Sequence, residues 1–236
     1  LVDVVFTASI VASGIRLSTP VIFAALGETI VERSGVVNLG IEGMMLMGAL
    51  GGFIGTFFTG SIFVGLLFAV SGPIMMAILM AFLSINLRTN QLVAGLAIWL
   101  LGTGLTALLY RLIFGVATIS PRINEISPIG IPILSQIPVI GSNLFSYEPM
   151  VFLAFLLVPL VHIFLFKTNI GLKIRTVGEN PRQADASGIN VYRIRYLALI
   201  IGGALAGLGG SFFTLVSTVA FSRISLLAKV GLHLRW

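Results

Sequence analysis

Six long apolar runs, each parted from the next by a polar stretch, constrain this chain more than any other feature. They cover about residues 2–30, 36–58, 62–85, 92–114, 149–166 and 196–221. Each is close to the ~20 residues a helix needs to cross the hydrocarbon of a bilayer. Helices apolar on every side cannot all turn toward one water-excluded core, and lipid is the solvent that resolves this. Composition agrees: charged residues make up 9% of the chain, hydrophobic residues 57%, and the mean hydropathy is +1.10. A soluble domain carries about a quarter charged residues. The expected fold is therefore all-α, a polytopic transmembrane helical bundle of about six segments. Arg16 and Pro20 interrupt the first run, which predicts a short N-terminal helix and then a second over 18–32 with Pro20 in its first turn. Gly72-Pro73 predicts a kink in the third segment.

The polar stretches set the orientation. Residues 167–195 carry Lys167, Lys173, Arg175, Arg182, Arg193 and Arg195 against Glu179 and Asp185. The positive-inside rule places this segment in the cytoplasm, together with the Glu32-Arg33 turn and Arg88. The Pro-rich stretch 115–148, with Pro121, Pro128, Pro132 and Pro138, then lies outside. It is too long for a tight turn, and interfacial or re-entrant pieces are expected over 129–140. The net charge of +6 is explained by basic loops between spans, so lipid rather than nucleic acid is the expected partner. Cysteine is absent, which excludes disulfides, thiol nucleophiles and thiolate metal sites. His162 and His233 lie far apart, no metal site is expected, and a helix–helix hydrogen bond is the expected use of His162.

Three sets of residues stand out. In Ser34-Gly-Val-Val-Asn-Leu-Gly-Ile-Glu-Gly43, Asn38 and Glu42 are four apart, on one face of a helix, at the start of an apolar span. Gly35, Gly40 and Gly43 weaken regular helix there. A gate or a translocation path over Asn38, Glu42 and Gly43 is one reading. Packing, with Glu42 paired to Arg33, is the other. In the basic segment, Gly178-Glu-Asn-Pro181 reads as a turn, and Asn180 and Pro181 then start a short helix that ends at Gly188. Such a helix either docks a soluble partner or belongs to a solvated basic loop drawn to anionic lipid. Lastly, Gly48 and Gly52, and Gly203 and Gly207, have the small-xxx-small spacing that lets helices pack closely in lipid. Arg88-Thr-Asn-Gln91 reads as a helix cap. No phosphate-binding loop, zinc-protease or nucleophile-elbow motif occurs, so an enzyme is not expected.

At these residues the chain resembles a known family. The run from Thr19 to Gly43, the loop from Gly171 to Pro181 with Ala184, Gly188, Ile189 and Asn190, and Gly203-Ala-Leu-Ala-Gly207 resemble permease subunits of bacterial ABC importers. The match is to the branched-chain amino acid/ribose permease superfamily, nearest its nucleoside and simple-sugar branch. The resemblance implies a multi-pass permease in the cell membrane that moves nucleosides or simple sugars inward. It implies ABC ATPase subunits, a second homologous permease and an extracytoplasmic substrate-binding protein as partners. No cofactor is implied for this chain, because ATP would be bound by the partner subunit. It also implies that 167–195 is the coupling loop contacting the ATPase, through Lys173, Arg175, Gly178, Glu179, Asn180, Pro181, Arg182, Asp185 and Gly188. The permease domain is expected over 1–223, incomplete at its C-terminus relative to the family. The tail 224–236 departs from the pattern in a way a frameshift near Ile224 would explain, which would make the product an inactive truncated permease. A self-contained channel or secondary transporter is the remaining alternative.

Overall fold

The computed structural model describes residues 2–115, 126, 129–130 and 146–216. Apart from residues 129–130, the expected re-entrant pieces over 129–140 lie outside the described residues, as does the whole tail 224–236. Eight α-helices follow in chain order: α1 (Val2–Glu32), α2 (Ile41–Thr59), α3 (Ile62–Ala81), α4 (Gln91–Phe114), α5 (Pro149–Lys167), α6 (Asn169–Glu179), α7 (Pro181–Ala186) and α8 (Val191–Leu215). A π-helical turn, Phe82–Asn86, extends α3, and the two-residue strands β1 (Ile129–Gly130) and β2 (Ser146–Tyr147) pair antiparallel. Six helices are long and apolar enough to cross a membrane, so this is a multi-pass membrane protein with an all-α bundle.

α1 does not break where the sequence suggests. It runs as one helix with Pro20 inside it. Proline removes an N–H from the ladder, but membrane helices tolerate this where neighbours and hydroxyls re-satisfy the backbone. Here the carbonyl that loses its N–H is that of Arg16; Ser18 and Thr19 both donate their hydroxyls to the neighbouring Ile15 carbonyl at 2.9 Å, and a side chain on Gly209 of α8 would come within 2.8 Å of the Pro20 carbonyl. The helix continues through the proline, and Gly209 lets α8 pack against it there. Segment 167–195 also differs from a loop: Thr168 caps α6, and Asn180 caps α7. The apolar residues Ile174 and Val177 recur at helical spacing and are fully buried, which explains why α6 forms against the bundle.

α8 is the central helix. In its most apolar window 67% of the residues are buried, against 28% for α4 and for α5. Its glycines face α2 and α3 directly. Gly48 of α2 meets the backbone of Gly207. Gly52 meets Ser211, and Gly203 meets the Pro73 carbonyl and Ala77 of α3. Gly207 also meets the Ala69 carbonyl and the Pro73 ring. Thr214 closes the junction by donating to the Ala49 carbonyl at 3.1 Å. Water-excluded association in lipid has no hydrophobic drive between helices, so such close backbone contact is what holds them. On the far side of α2, Phe53, Phe57, Phe58, Tyr110 and Phe114 pack ring on ring between α2 and α4, with centroids 5.2–6.4 Å apart.

Candidate functional site

The two ends of the bundle differ in charge. Arg33, Arg88, Lys167, Lys173, Arg175, Arg182, Arg193 and Arg195 gather at one end, which cross-contacts define: Arg195 donates to the Ser34 carbonyl at 3.2 Å, and Tyr196 donates to Asn86 at 2.7 Å. Among the described residues, only Arg16 and Arg111 lie away from this basic end. Arg16 belongs to the one ion pair among the described residues, with Glu148 at 3.2 Å.

The α1–α2 connection sits at the basic end and is not helical. Gly35 has φ +78°, a conformation that side chains strain, and it turns the chain out of α1. Residues 36–38 then run without helix, 39–40 turn into α2, and the connection is held by three side chains. Glu28 of α1 accepts from the Asn38 N–H at 3.0 Å, Gln91 of α4 accepts from the Val37 N–H at 2.9 Å, and Asn38 accepts from the Gly40 N–H at 3.0 Å. Because α2 begins only at Ile41, Asn38 and Glu42 share no helix face, contrary to the sequence reading. Asn38 is 3% exposed and turned inward, whereas Glu42 is exposed on the first turn of α2. A carboxylate there complements the helix dipole, and it forms no pair with Arg33. Gly43 lies against the α4 backbone, where a side chain would come within 2.9 Å of the Ile98 carbonyl.

The interior acid is Glu28, which the sequence reading passed over. Its Oε2 is buried without a hydrogen-bond partner among the described residues. A carboxylate inside an apolar span is costly and marks function by default, and that rule applied to the run 21–31 would have found it. Gln91 was read only as part of a cap. Asn90 does supply that cap, accepting from the Leu92 N–H at 2.9 Å, and this leaves Gln91 free to reach the linker.

α6 and α7 complete the site. Arg175 donates its Nε to the Leu165 carbonyl at 3.1 Å, at the end of α5. Gly178 packs so closely on the Arg33 carbonyl and Gly35 that a side chain there has no room. The two sequence motifs therefore touch: the 167–195 segment rests on the α1–α2 turn. Asn180 accepts from the Gln183 N–H at 3.1 Å, with Pro181 in the first turn of α7. Gly188 has φ +79° and ends the helix as expected. Lys173, Glu179, Arg182 and Asp185 are exposed around this pair of helices. His162 stacks on Phe166 of its own helix, centroids 4.8 Å apart, instead of bonding a neighbour. Among the described residues no group of His, Asp and Glu could hold a metal ion.

This arrangement offers a linker hydrogen-bonded by polar side chains, a surface helix pressed against it and close-packed smooth helices. Comparison with known proteins points the same way. The family model described as "Branched-chain amino acid transport system / permease component" matches residues 10–234. The chain is 40% identical over 93% of its length to the "Putative glucose ABC transporter permease protein TsgC13" of Haloferax volcanii. It is 38% identical over 89% of its length to the guanosine ABC transporter permease protein NupQ of Bacillus subtilis. It is 36% identical over 94% of its length to the nucleoside ABC transporter permease protein NupC of Lactococcus lactis. It spans 65%, 68% and 72% of those relatives' own lengths. No solved structure matches it. With two thirds or more of two such relatives covered and the family match running through nearly the whole sequence, the chain belongs to the family of branched-chain amino acid transport system permease components.

Proposed function

We propose that this chain is the membrane-spanning permease subunit of an ATP-binding-cassette importer that takes nucleosides or simple sugars into the cytoplasm. The observation that carries this reading is the identity of 36–40%, over most of the chain, to permeases named for guanosine, nucleosides and glucose. The subunit does no chemistry itself. ATP is hydrolysed by separate ATPase subunits, a second homologous permease completes the pathway, and an extracytoplasmic binding protein delivers the substrate.

The basic end faces the cytoplasm by the positive-inside rule. The exposed side chains of α7 and of the α6 C-terminus, Glu179, Arg182 and Asp185, form the ATPase contact. α6 then acts as a lever. Its Gly178 bears on the Arg33–Gly35 turn, so a push on α7 reaches the linker that Glu28 and Gln91 hold. The close glycine contacts of α8 with α2 and α3 let these helices slide without side chains catching.

The test is uptake by vesicles carrying this chain with its ATPase, partner permease and binding protein. Labelled guanosine or glucose should enter only with ATP inside the ATPase compartment. Glu179→Ala with Arg182→Ala should abolish co-purification of the ATPase while the protein still inserts. Uptake that persists without the ATPase would identify a self-contained channel or secondary transporter instead.

A further inference from the structure

At the end of α5, two arginines gather on one ring. The Arg175 guanidinium carbon lies 4.9 Å from the Phe166 ring centroid, and that of Arg33 lies 5.9 Å from it. They come from different helices, α6 and the α1 turn, and neither forms an ion pair with an acid among the described residues. Lys167, the next residue in the chain, is exposed. Arg175 uses its Nε on the Leu165 carbonyl, which leaves the remaining donors of its planar fork uncommitted. Two guanidiniums held near one aromatic ring, with no acid paired to either among the described residues, concentrate positive charge there, which favours an anion as their partner.

The position says which anion. Phe166 ends a membrane-spanning helix. After Thr168 the chain folds back so tightly that Gly171 packs on the Phe164 and Leu165 carbonyls, which lays α6 across the end of α5. α6 buries Ile174 and Val177 in the bundle, yet leaves Ile170 45% and Leu172 54% exposed. Apolar side chains exposed on a basic helix at this depth belong at the boundary of headgroups and acyl chains. Arginine forks match phosphate oxygens bidentately.

We propose that Arg33 and Arg175, seated at Phe166, bind the phosphate of an anionic phospholipid in the leaflet at the basic end, with Lys167 at the end of α5 adding to the local positive charge. Ile170 and Leu172 lie along its acyl chains. The single negative charge of the phosphodiester offsets the repulsion between the two guanidiniums and ties α6 to the membrane surface. The inference rests on the protein being embedded in a membrane and does not depend on what it transports.

Native mass spectrometry of the detergent-purified chain, titrated with phosphatidylglycerol or phosphatidylcholine, tests it. Phosphatidylglycerol should be retained in preference, as a defined one-lipid adduct. Arg33→Gln should weaken that adduct about tenfold or more, the loss expected for a charge-assisted hydrogen bond to a phosphate. This variant is the primary one because Arg33 is exposed and its side chain caps no helix, whereas Arg175→Gln also removes the Leu165 contact. Arg193→Gln, a basic residue exposed at the same end, should leave the adduct within about twofold; unchanged phosphatidylcholine retention shows that each variant is folded. Equal losses in Arg33→Gln and Arg193→Gln would mean diffuse attraction and overturn the site. Equal retention of both lipids would overturn it, as would displacement of the lipid by millimolar inorganic phosphate, which would mark a free-anion site. Loss of ATPase binding in Arg33→Gln with no change in lipid retention would assign the arginines to a protein contact and overturn it too.

Discussion

Replacing Gly48 with alanine should destabilise the bundle, although alanine is the better helix former. A Cβ built on Gly48 would lie 2.5 Å from both the Cα and the carbonyl oxygen of Gly207. Carbon atoms rest at about 3.5–4.0 Å from their neighbours. The obstacle is α8 backbone, so no side chain can rotate away, and α2 must part from α8 by about 1 Å. Gly207 is itself pinned from behind by the Pro73 ring, with only 2.8 Å of room for a Cβ of its own. The shift therefore opens the three-helix junction rather than a single contact. Overpacking of this kind costs about 1–3 kcal/mol, and the backbone obstacle puts this case in the upper half. The gain in helix propensity offsets at most about 1 kcal/mol, leaving a net loss of about 1–2 kcal/mol. Gly104→Ala is the matched control: Gly104 also sits inside a span, in α4, and nothing lies within 4 Å of its Cβ position. It should be neutral or gain up to about 1 kcal/mol. Thermal unfolding in detergent, followed by tryptophan fluorescence, should separate the two variants by several degrees, at ~2–4 °C per kcal/mol for a chain of this size. Equal midpoints, or a more stable Gly48→Ala, would refute the view that backbone contact with α8 holds α2.

Other substitutions probe the site and its supports. Asn180→Ala removes the cap of α7 and should cost about 1 kcal/mol locally, seen as faster amide exchange over Pro181–Ala186 with the global midpoint unmoved. Gly188→Ala has free space around it but φ +79°, so it should lose about 1–2 kcal/mol through backbone strain alone, read from the same exchange measurement. Arg16→Met leaves the buried Glu148 carboxylate without its partner and should lower the unfolding midpoint, and adding Glu148→Gln should recover most of the loss. Glu28→Leu should free the Asn38 N–H and raise protease access at the α1–α2 linker, while Glu28→Gln, whose amide oxygen still accepts, should leave it closed.

What could be read before the structure divides along physical lines. The six spans were legible because lipid imposes a length and a composition on each segment. α7 was legible because its start and stop are local chemistry: Asn180 and Pro181 at one end, Gly188 at the other. The continuity of α1 through Pro20 was not, since proline reads locally as a helix start, whereas the packing of Gly209 of α8 at that point joins residues distant in sequence. α6 was missed because its charges dominate the composition of 167–195, while the two residues that bury it, Ile174 and Val177, are few. The pairing of Asn38 with Glu42 failed for a related reason. Spacing of four implies a shared face only if the intervening backbone is helical, and Gly35 and Gly40 delay the helix until Ile41.

That delay changes which carboxylate matters. A non-helical linker at the edge of a span exposes backbone N–H groups that helix would have satisfied internally, and in a low-dielectric setting each needs an acceptor. Glu28 and Gln91 supply them from two different helices, so the linker's position records the spacing of α1 and α4 at the basic end. Gly178 rests on the same turn from the α6 side, and Arg195 of α8 reaches the Ser34 carbonyl from another. Four helices thus meet on eight residues of irregular chain, 33–40. Packed helices shift as rigid bodies, and a junction of hydrogen bonds from several of them can exchange one set of partners for another. The unpartnered Glu28 Oε2 is the acceptor such an exchange would use. Glu42, exposed on the first turn of α2, makes none of these bonds, so among the described residues it is the interior carboxylate and not the helix-terminal one that holds the α1–α2 linker to its neighbours.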